Sequence, residues 1–102
     1  MGINVKWEDE EGKQMGFVED AQNTFSQFLN SSNLKTTELL KYIDQYGDTT
    51  FNQLQIKHFI EELKLKINEC KSEKDKVKLT EILSLSNKSL GQVHTYLKFY
   101  GD

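Results

Sequence analysis

Cys70, His58 and His94 are the side chains of this sequence that could act as nucleophile, base or soft metal ligand. A cysteine nucleophile needs a base within hydrogen-bond reach. His58 lies about 18 Å from Cys70 along one predicted helix, at 1.5 Å per residue, so only His94 could serve. A metal site needs three or four ligands. These three side chains could provide them only if the fold brings them close together. We expect no catalytic residue, no metal site and no cofactor.

Asp44 and Asp48 form a second candidate site because they flank a three-residue segment that ends in Gly47. Such a loop could bind a cation or provide an acid/base pair, but the spacing is not that of a calcium loop. The alternative is structural: Asp44 ends a short helix, Gly47 reverses the chain with a positive φ, and Asp48 or Thr49 bonds to backbone donors. No phosphate loop, dinucleotide turn or nucleophile elbow accompanies the segment, so we predict a protein that is not an enzyme.

The composition disfavours nucleic acid and membrane as partners. The chain contains 13 Lys but no Arg, its net charge is −3, and its pI is about 5.4. Arg supplies the planar fork that grips phosphate and guanine, and the lysines of residues 64–78 are interrupted by acidic residues. No apolar run approaches the ~18 residues of a membrane span. With one cysteine and no leader-like start, we expect a cytoplasmic protein with a single domain over residues 1–102.

Strand patterns occur at both ends of the chain. Ile3, Val5 and Trp7 alternate with polar residues, and Gly12 suits the following turn, so residues 3–18 predict a β-hairpin with Met15 and Phe17 on one face of its second strand. Residues 94–100 alternate in the same way and predict a last strand that pairs with the hairpin.

Helical patterns fill the middle of the chain. Asp20 is predicted to cap a first helix that ends near residues 30–33. A short second helix carries Leu39, Leu40 and Ile43. Asn52 and Gln55 form a capping box for the third helix, with Phe51 and Ile56 as its hydrophobic staple. Ser72 caps the fourth helix, which Gly91 ends.

Together the elements predict an α+β domain. A small three-stranded, largely antiparallel sheet, made of the N-terminal hairpin and the C-terminal strand, packs on three to four helices. The alternative is an all-helical bundle with a frayed N-terminus.

Acidic side chains gather in the first half of the chain. Residues 1–51 carry four Lys and nine acidic residues, whereas residues 52–102 carry nine Lys and seven. Glu8, Asp9, Glu10 and Glu11 occupy the predicted hairpin turn, and such a patch can steer a basic partner. The alternative is a solvated turn that keeps an edge strand from pairing with other chains.

Two segments carry a resemblance to known proteins. Ile43 to Asn52 reads IDQYGDTTFN, and the chain ends YLKFYGD, so that Tyr-Gly-Asp occurs in both. They resemble segments of small single-domain bacterial proteins of unassigned role, which are similar to immunity proteins. Such proteins neutralise a toxin by binding it, and the resemblance implies no catalytic residue.

The sequence therefore predicts a non-enzymatic protein-binding domain, most concretely an immunity or inhibitor protein that occludes its partner. The expected partner is a basic protein, neither nucleic acid nor membrane. The predicted contact surface combines the hairpin turn with the loop from Asp44 to Asp48, which we call the acidic loop. Its side chains are those of Glu8, Asp9, Glu10, Glu11, Asp44, Tyr46 and Asp48. The alternative function is a structural or adaptor subunit that self-associates through its sheet edge.

Overall fold

The computed structural model describes residues 2–101, which form four strands and three α-helices. In chain order these are β1 (Asn4–Asp9), β2 (Gln14–Val18), α1 (Thr24–Ser31), β3 (Asp48–Phe51), α2 (Gln53–Glu69), α3 (Glu73–Ser89) and β4 (Thr95–Tyr100). The α+β class is confirmed. No helix within residues 2–101 has the length and apolar character required to cross a membrane.

The strands form one antiparallel sheet in the order β2-β1-β4-β3. The predicted hairpin is present, and β4 pairs with β1 in the register Val5 to Phe99 and Trp7 to Leu97. The sheet has four strands rather than three, because β3 pairs with the other side of β4. The turn and cap residues around β3 can be recognised from neighbouring positions in the sequence. The pairing of β3 with β4 joins residues that are far apart in the sequence, so no local pattern predicts it.

Alternation along each strand separates the two faces of the sheet. Val5, Phe51, Leu97 and Phe99 are buried among apolar side chains of the helices. The Phe99 ring centroid lies 5.2 Å from that of Phe51 and 5.3 Å from that of Phe59 on α2, with steep interplanar angles. Edge-to-face aromatic packing of this kind adds to the burial energy. The core therefore lies between one face of the sheet and the helices.

The two long helices begin where their caps predict. The Asn52 side chain accepts from the Gln55 backbone N–H, and the Gln55 side chain accepts from the Asn52 N–H, so the capping box is confirmed. The Ser72 side chain accepts from the backbone N–H of Asp75. Gly91 follows α3 with a φ of 86°. Leu85 on α3 is buried, whereas Leu90, which follows the helix, is 39% exposed.

The first helix begins three residues later than predicted. Its N-cap is Asn23, which has a left-handed conformation and makes no side-chain cap bond. Asp20 nevertheless serves this helix end, because its carboxylate accepts from the backbone N–H groups of Phe25 and Ser26. The same buried carboxylate also accepts from the backbone N–H of Ile3.

The predicted second helix is only a short 3₁₀ turn, Leu40–Tyr42. Its N-terminal donors are bound by Glu62 on α2, whose carboxylate accepts from the backbone N–H groups of Glu38, Leu39 and Leu40. The turn keeps two backbone hydrogen bonds of its own, from Tyr42 N to Leu39 O and from Ile43 N to Leu40 O, and the distant carboxylate of Glu62 caps its N-terminus.

The glycine of the acidic loop has a different role from the predicted one. Of the described glycines, Gly12 and Gly91 have positive φ, but Gly47 does not. A Cβ on Gly47 would meet a side-chain oxygen of Asp44 at 2.7 Å, which can move away. At Gly101 a Cβ would lie 2.5 Å from the backbone carbon of Gln45, and Gly101 N donates to Gly47 O. The two Tyr-Gly-Asp segments thus meet at close backbone approach.

Candidate protein-binding surface

Within residues 2–101, no helix packs on one of the two faces of the sheet, and we call this face the open face. Its central side chains are those of Lys6, Glu8, Phe17, Tyr96, Lys98 and Tyr100, as the strand register requires. The Met15 and Phe17 side chains of β2 are exposed, at 48% and 42%, and the register shift at Met15 interrupts the alternation of this strand. The face therefore presents aromatic and charged side chains together.

A hydrogen bond between Tyr100 and Glu8 fixes the centre of the open face. The Tyr100 hydroxyl donates to Glu8 Oε2 over 2.6 Å. Glu8 is only 8% exposed, so it is not the accessible acidic residue that the sequence predicted. Desolvation raises the pKa of the Tyr100 hydroxyl above its usual value, and the hydrogen bond to Glu8 and the charges of Glu8 and Asp48 raise it further.

Two lysines flank the Tyr100 ring. Lys6 and Lys98 are directly opposite each other across β1 and β4. Their Nζ atoms lie 4.9 Å and 5.3 Å from the Tyr100 ring centroid. Cation–π attraction of this kind offsets part of the repulsion between like charges placed opposite each other. The centre of the open face is thus aromatic and cationic.

Replacing Tyr100 with Phe is expected to reduce the loss of stability above pH 10. A phenol in the unfolded chain ionises near pH 10, whereas the folded Tyr100, whose pKa is raised, keeps its proton. The contribution of Tyr100 to the free energy of unfolding is therefore complete below about pH 10 and falls as the pH rises above it. Urea unfolding at pH 8 and pH 11 measures this loss. Tyr42→Phe, at a residue that is 69% exposed, is the control, and equal losses in both variants contradict the prediction.

The hairpin turn uses part of its acidic cluster for its own structure. Asp9 Oδ1 accepts from the backbone N–H groups of Glu11 and Lys13 at 2.9 Å. Glu10 Oε1 contacts His94 Nδ1 at 2.6 Å, and both side chains are more than half exposed. Glu11 is exposed as well. Glu10 and Glu11 are therefore the accessible carboxylates of the turn, and we call them the acidic tip.

The second predicted acidic segment is also partly structural. Asp44 Oδ1 accepts from the backbone N–H of Tyr46 at 2.8 Å, and the Asp44 N–H donates to Thr49 Oγ1. Tyr46 is 83% exposed. Asp48 begins the edge strand β3 and is exposed. Tyr46 and Asp48 thus remain available for contact, whereas Asp44 shapes the loop.

The two acidic segments lie at opposite ends of the sheet. Asp9 pairs with Thr95 at the start of β4, and Asp48 pairs with Tyr100 at its end. Five residues of strand correspond to about 17 Å at ~3.4 Å per residue. The seven predicted site residues therefore do not form one patch. The open face lies between the acidic tip and Asp48.

The three side chains with potential for catalysis have separate surroundings. The Cys70 thiol lies 3.5 Å from the carbonyl oxygen of Ser72. His58 contacts Glu38 at 3.2 Å, and His94 contacts Glu10. In the described part of the chain, no group of three or more His, Cys, Asp or Glu side chains is placed to hold a metal ion.

Sequence reasoning did not select Lys6, Lys98 or Tyr100 as surface residues of interest. The alternation of residues 94–100 was the available signal, because it places Tyr96, Lys98 and Tyr100 on the face opposite the buried Leu97 and Phe99. Because the helices pack on the face that carries Leu97 and Phe99, the face of Tyr96, Lys98 and Tyr100 is left exposed.

Comparisons with known proteins give no relative for this chain. No protein-family model matches it, and no curated protein or solved structure matches it either. The similarity to immunity proteins therefore stays a prediction that rests on two short segments.

Proposed function

We propose that this chain is a non-enzymatic protein-binding domain and that its open face is the contact surface. The observation that carries the proposal is that the helices pack on one side of the sheet. Phe17, Tyr96 and Tyr100 on the other side are half-buried or exposed. Tyrosine and other aromatic residues dominate the energetics of protein interfaces. A face of this size and composition therefore favours a protein as the partner.

The most concrete form of the proposal is an immunity or inhibitor protein that covers a basic site on its partner. Glu10 and Glu11 extend from one end of the open face, and their carboxylates are accessible. Exposed charges at the rim of an interface mainly accelerate association. The acidic tip would thus steer a basic protein toward the end of the open face that carries Tyr96, which pairs with Glu8 beside the tip, whereas Lys6 and Lys98 lie farther along the strands.

The test begins with the partner. The full chain is used as bait in a lysate of its native host at low and high salt, and mass spectrometry identifies the retained proteins. A single basic partner that is lost at high salt supports the proposal, because salt screens exposed charges. A bait that retains no specific protein at either salt concentration contradicts it.

Association kinetics with that partner then test the acidic tip. Glu10→Lys combined with Glu11→Lys is expected to lower the association rate about 3- to 10-fold at low salt and to change the free energy of unfolding by less than about 0.5 kcal/mol. The matched control is Glu61→Lys with Glu69→Lys, which makes the same charge change at exposed positions of α2. An unchanged rate for the tip variant, or an equal decrease in the control, removes the steering role.

A further inference from the structure

The outer edge of β2 lacks most of the features that prevent an edge strand from pairing with another chain. β2 is the outermost strand of the sheet on its side, and its sequence QMGFV has neither a charge nor a proline. Natural edge strands usually carry such residues to prevent pairing with another chain. The other edge strand, β3, has four residues and begins with Asp48. The one protective device of β2 is the bulge at Met15, where the register with β1 shifts.

The residues that flank β2 are complementary to themselves. Lys13 precedes the strand and Glu19 follows it, both are exposed, and each is three residues from Gly16. In an antiparallel pair of identical strands centred on Gly16, Lys13 of each copy lies near Glu19 of the other. Their long side chains span the offset that the bulge introduces. The same pairing places Met15 next to Phe17 of the second copy on the open face.

The helix behind β2 repeats this complementarity. A surface groove between β2 and α3 is lined by Gly16, Leu85, Glu81 and Lys88, among others. Gly16 is the point of closest approach, since a Cβ there would meet Leu85 Cδ1 at 2.5 Å. Glu81 and Lys88 lie one turn to either side of Leu85. A twofold axis near Gly16 therefore brings Glu81 of one copy toward Lys88 of the other.

We infer that β2 binds a second copy of this chain in antiparallel orientation, about a twofold axis near Gly16, to form one continuous eight-stranded sheet. Twofold interfaces require a surface that is complementary to itself, and both the strand flanks and the helix meet that condition. The second copy supplies hydrogen bonds to the unpaired backbone of the edge. The inference does not rest on the partner proposed for the open face. Of the aromatic residues proposed to contact that partner, Tyr96 and Tyr100 belong to β4, and Phe17 alone belongs to β2.

Charge reversal tests this pairing directly. Sedimentation velocity at low salt, from about 10 µM to about 1 mM, is expected to show a monomer–dimer equilibrium, since a contact of two short strands is small. Lys13→Glu places a second carboxylate beside Glu19 of the other copy, and Glu19→Lys places two lysines together. Each single variant is expected to weaken dimerisation about tenfold or more. The double variant Lys13→Glu/Glu19→Lys is expected to restore it.

Mixing the two single variants is the decisive experiment for the antiparallel pairing. Their heterodimer pairs each glutamate of one variant with a lysine of the other, so the mixture is expected to dimerise under conditions where each variant alone is monomeric. Because both side chains are exposed, circular dichroism should show unchanged folding. The inference is overturned if the wild type is monomeric over the whole concentration range. This holds even if substitutions in β2 abolish the binding of a different protein that the wild type captures from a lysate. A dimer that neither single variant weakens overturns it too.

Discussion

Replacing Glu62 with Ala is expected to lower the free energy of unfolding by about 3–5 kcal/mol, because three backbone N–H groups lose their acceptor. Glu62 is 9% exposed, and its carboxylate accepts from three consecutive backbone N–H groups. The shortest of these bonds joins Glu38 N to Glu62 Oε2 over 2.6 Å. Alanine leaves these donors without an acceptor in a largely buried place, and each such donor costs about 1–3 kcal/mol.

A domain of this size has a total stability of roughly 5–15 kcal/mol, so the variant is expected to be marginal at best. Urea unfolding measures the loss. Glu61→Ala is the matched control, because Glu61 is the exposed neighbour on the same helix, and its effect should stay within about 0.5 kcal/mol.

Amide hydrogen exchange provides the test that remains useful if Glu62→Ala does not fold. In Glu62→Gln the side chain keeps its size and one acceptor oxygen. We expect the amides of Glu38, Leu39 and Leu40 to lose protection in this variant, whereas those in the middle of α2 keep it. Uniform loss along the chain, or no loss at all, contradicts the role assigned to the carboxylate.

The elements that were predictable are those whose signals are local. The Asn52–Gln55 capping box spans four residues and specifies where α2 begins without any tertiary information. Gly91 ends α3 for a comparable reason, because glycine adopts the left-handed backbone conformation at little cost in free energy. Alternation identified β4 because one face of that strand is buried and the other is not.

The elements that were missed depend on distant partners. β3 has four residues, and only its pairing with β4 distinguishes it from the turn that the residues around Gly47 indicate. The segment from Glu38 to Tyr42 has helical periodicity but forms only a 3₁₀ turn, and its first N–H groups are bound by Glu62, more than twenty residues away. One sequence signal was available: Glu62 is three residues from Phe59 and so borders the apolar stripe of α2.

The predicted contact residues show the same division. The sequence identified the acidic composition of the hairpin turn and of the loop, and the structure places the side chains of Glu10, Glu11 and Tyr46 on the surface. It could not show that Glu8 is buried against Tyr100, because these residues are separated by 92 positions. Nor could it show that the hairpin turn and Asp48 lie at opposite ends of the sheet, which follows from the antiparallel register of β4.

Asp20 is a second buried carboxylate that binds backbone N–H groups of separate segments. This carboxylate is 2% exposed, and it joins the N-terminus of α1 to the residue before β1. Oδ2 accepts from the backbone N–H groups of Ile3 and Ser26, and Oδ1 accepts from that of Phe25, at 3.0–3.2 Å. Asp20→Ala leaves three backbone N–H groups in two segments without their acceptor, so we expect a loss of about 3–5 kcal/mol, at about 1–3 kcal/mol for each buried donor.

The conservative variant separates these two connections. Asp20→Asn has one acceptor oxygen, which best takes the place of Oδ2 between Ile3 and Ser26, and its amide then faces the Phe25 N–H. We expect a loss of about 1–3 kcal/mol, with amide protection reduced at Phe25 more than at Ile3. Gln22→Ala, at an exposed position of the same loop, should change stability by less than about 0.5 kcal/mol. If Asp20→Asn unfolds like the wild type in urea, the carboxylate does not hold the hairpin and α1 together, and the start of α1 must depend on Asn23 and the burial of Phe25 alone.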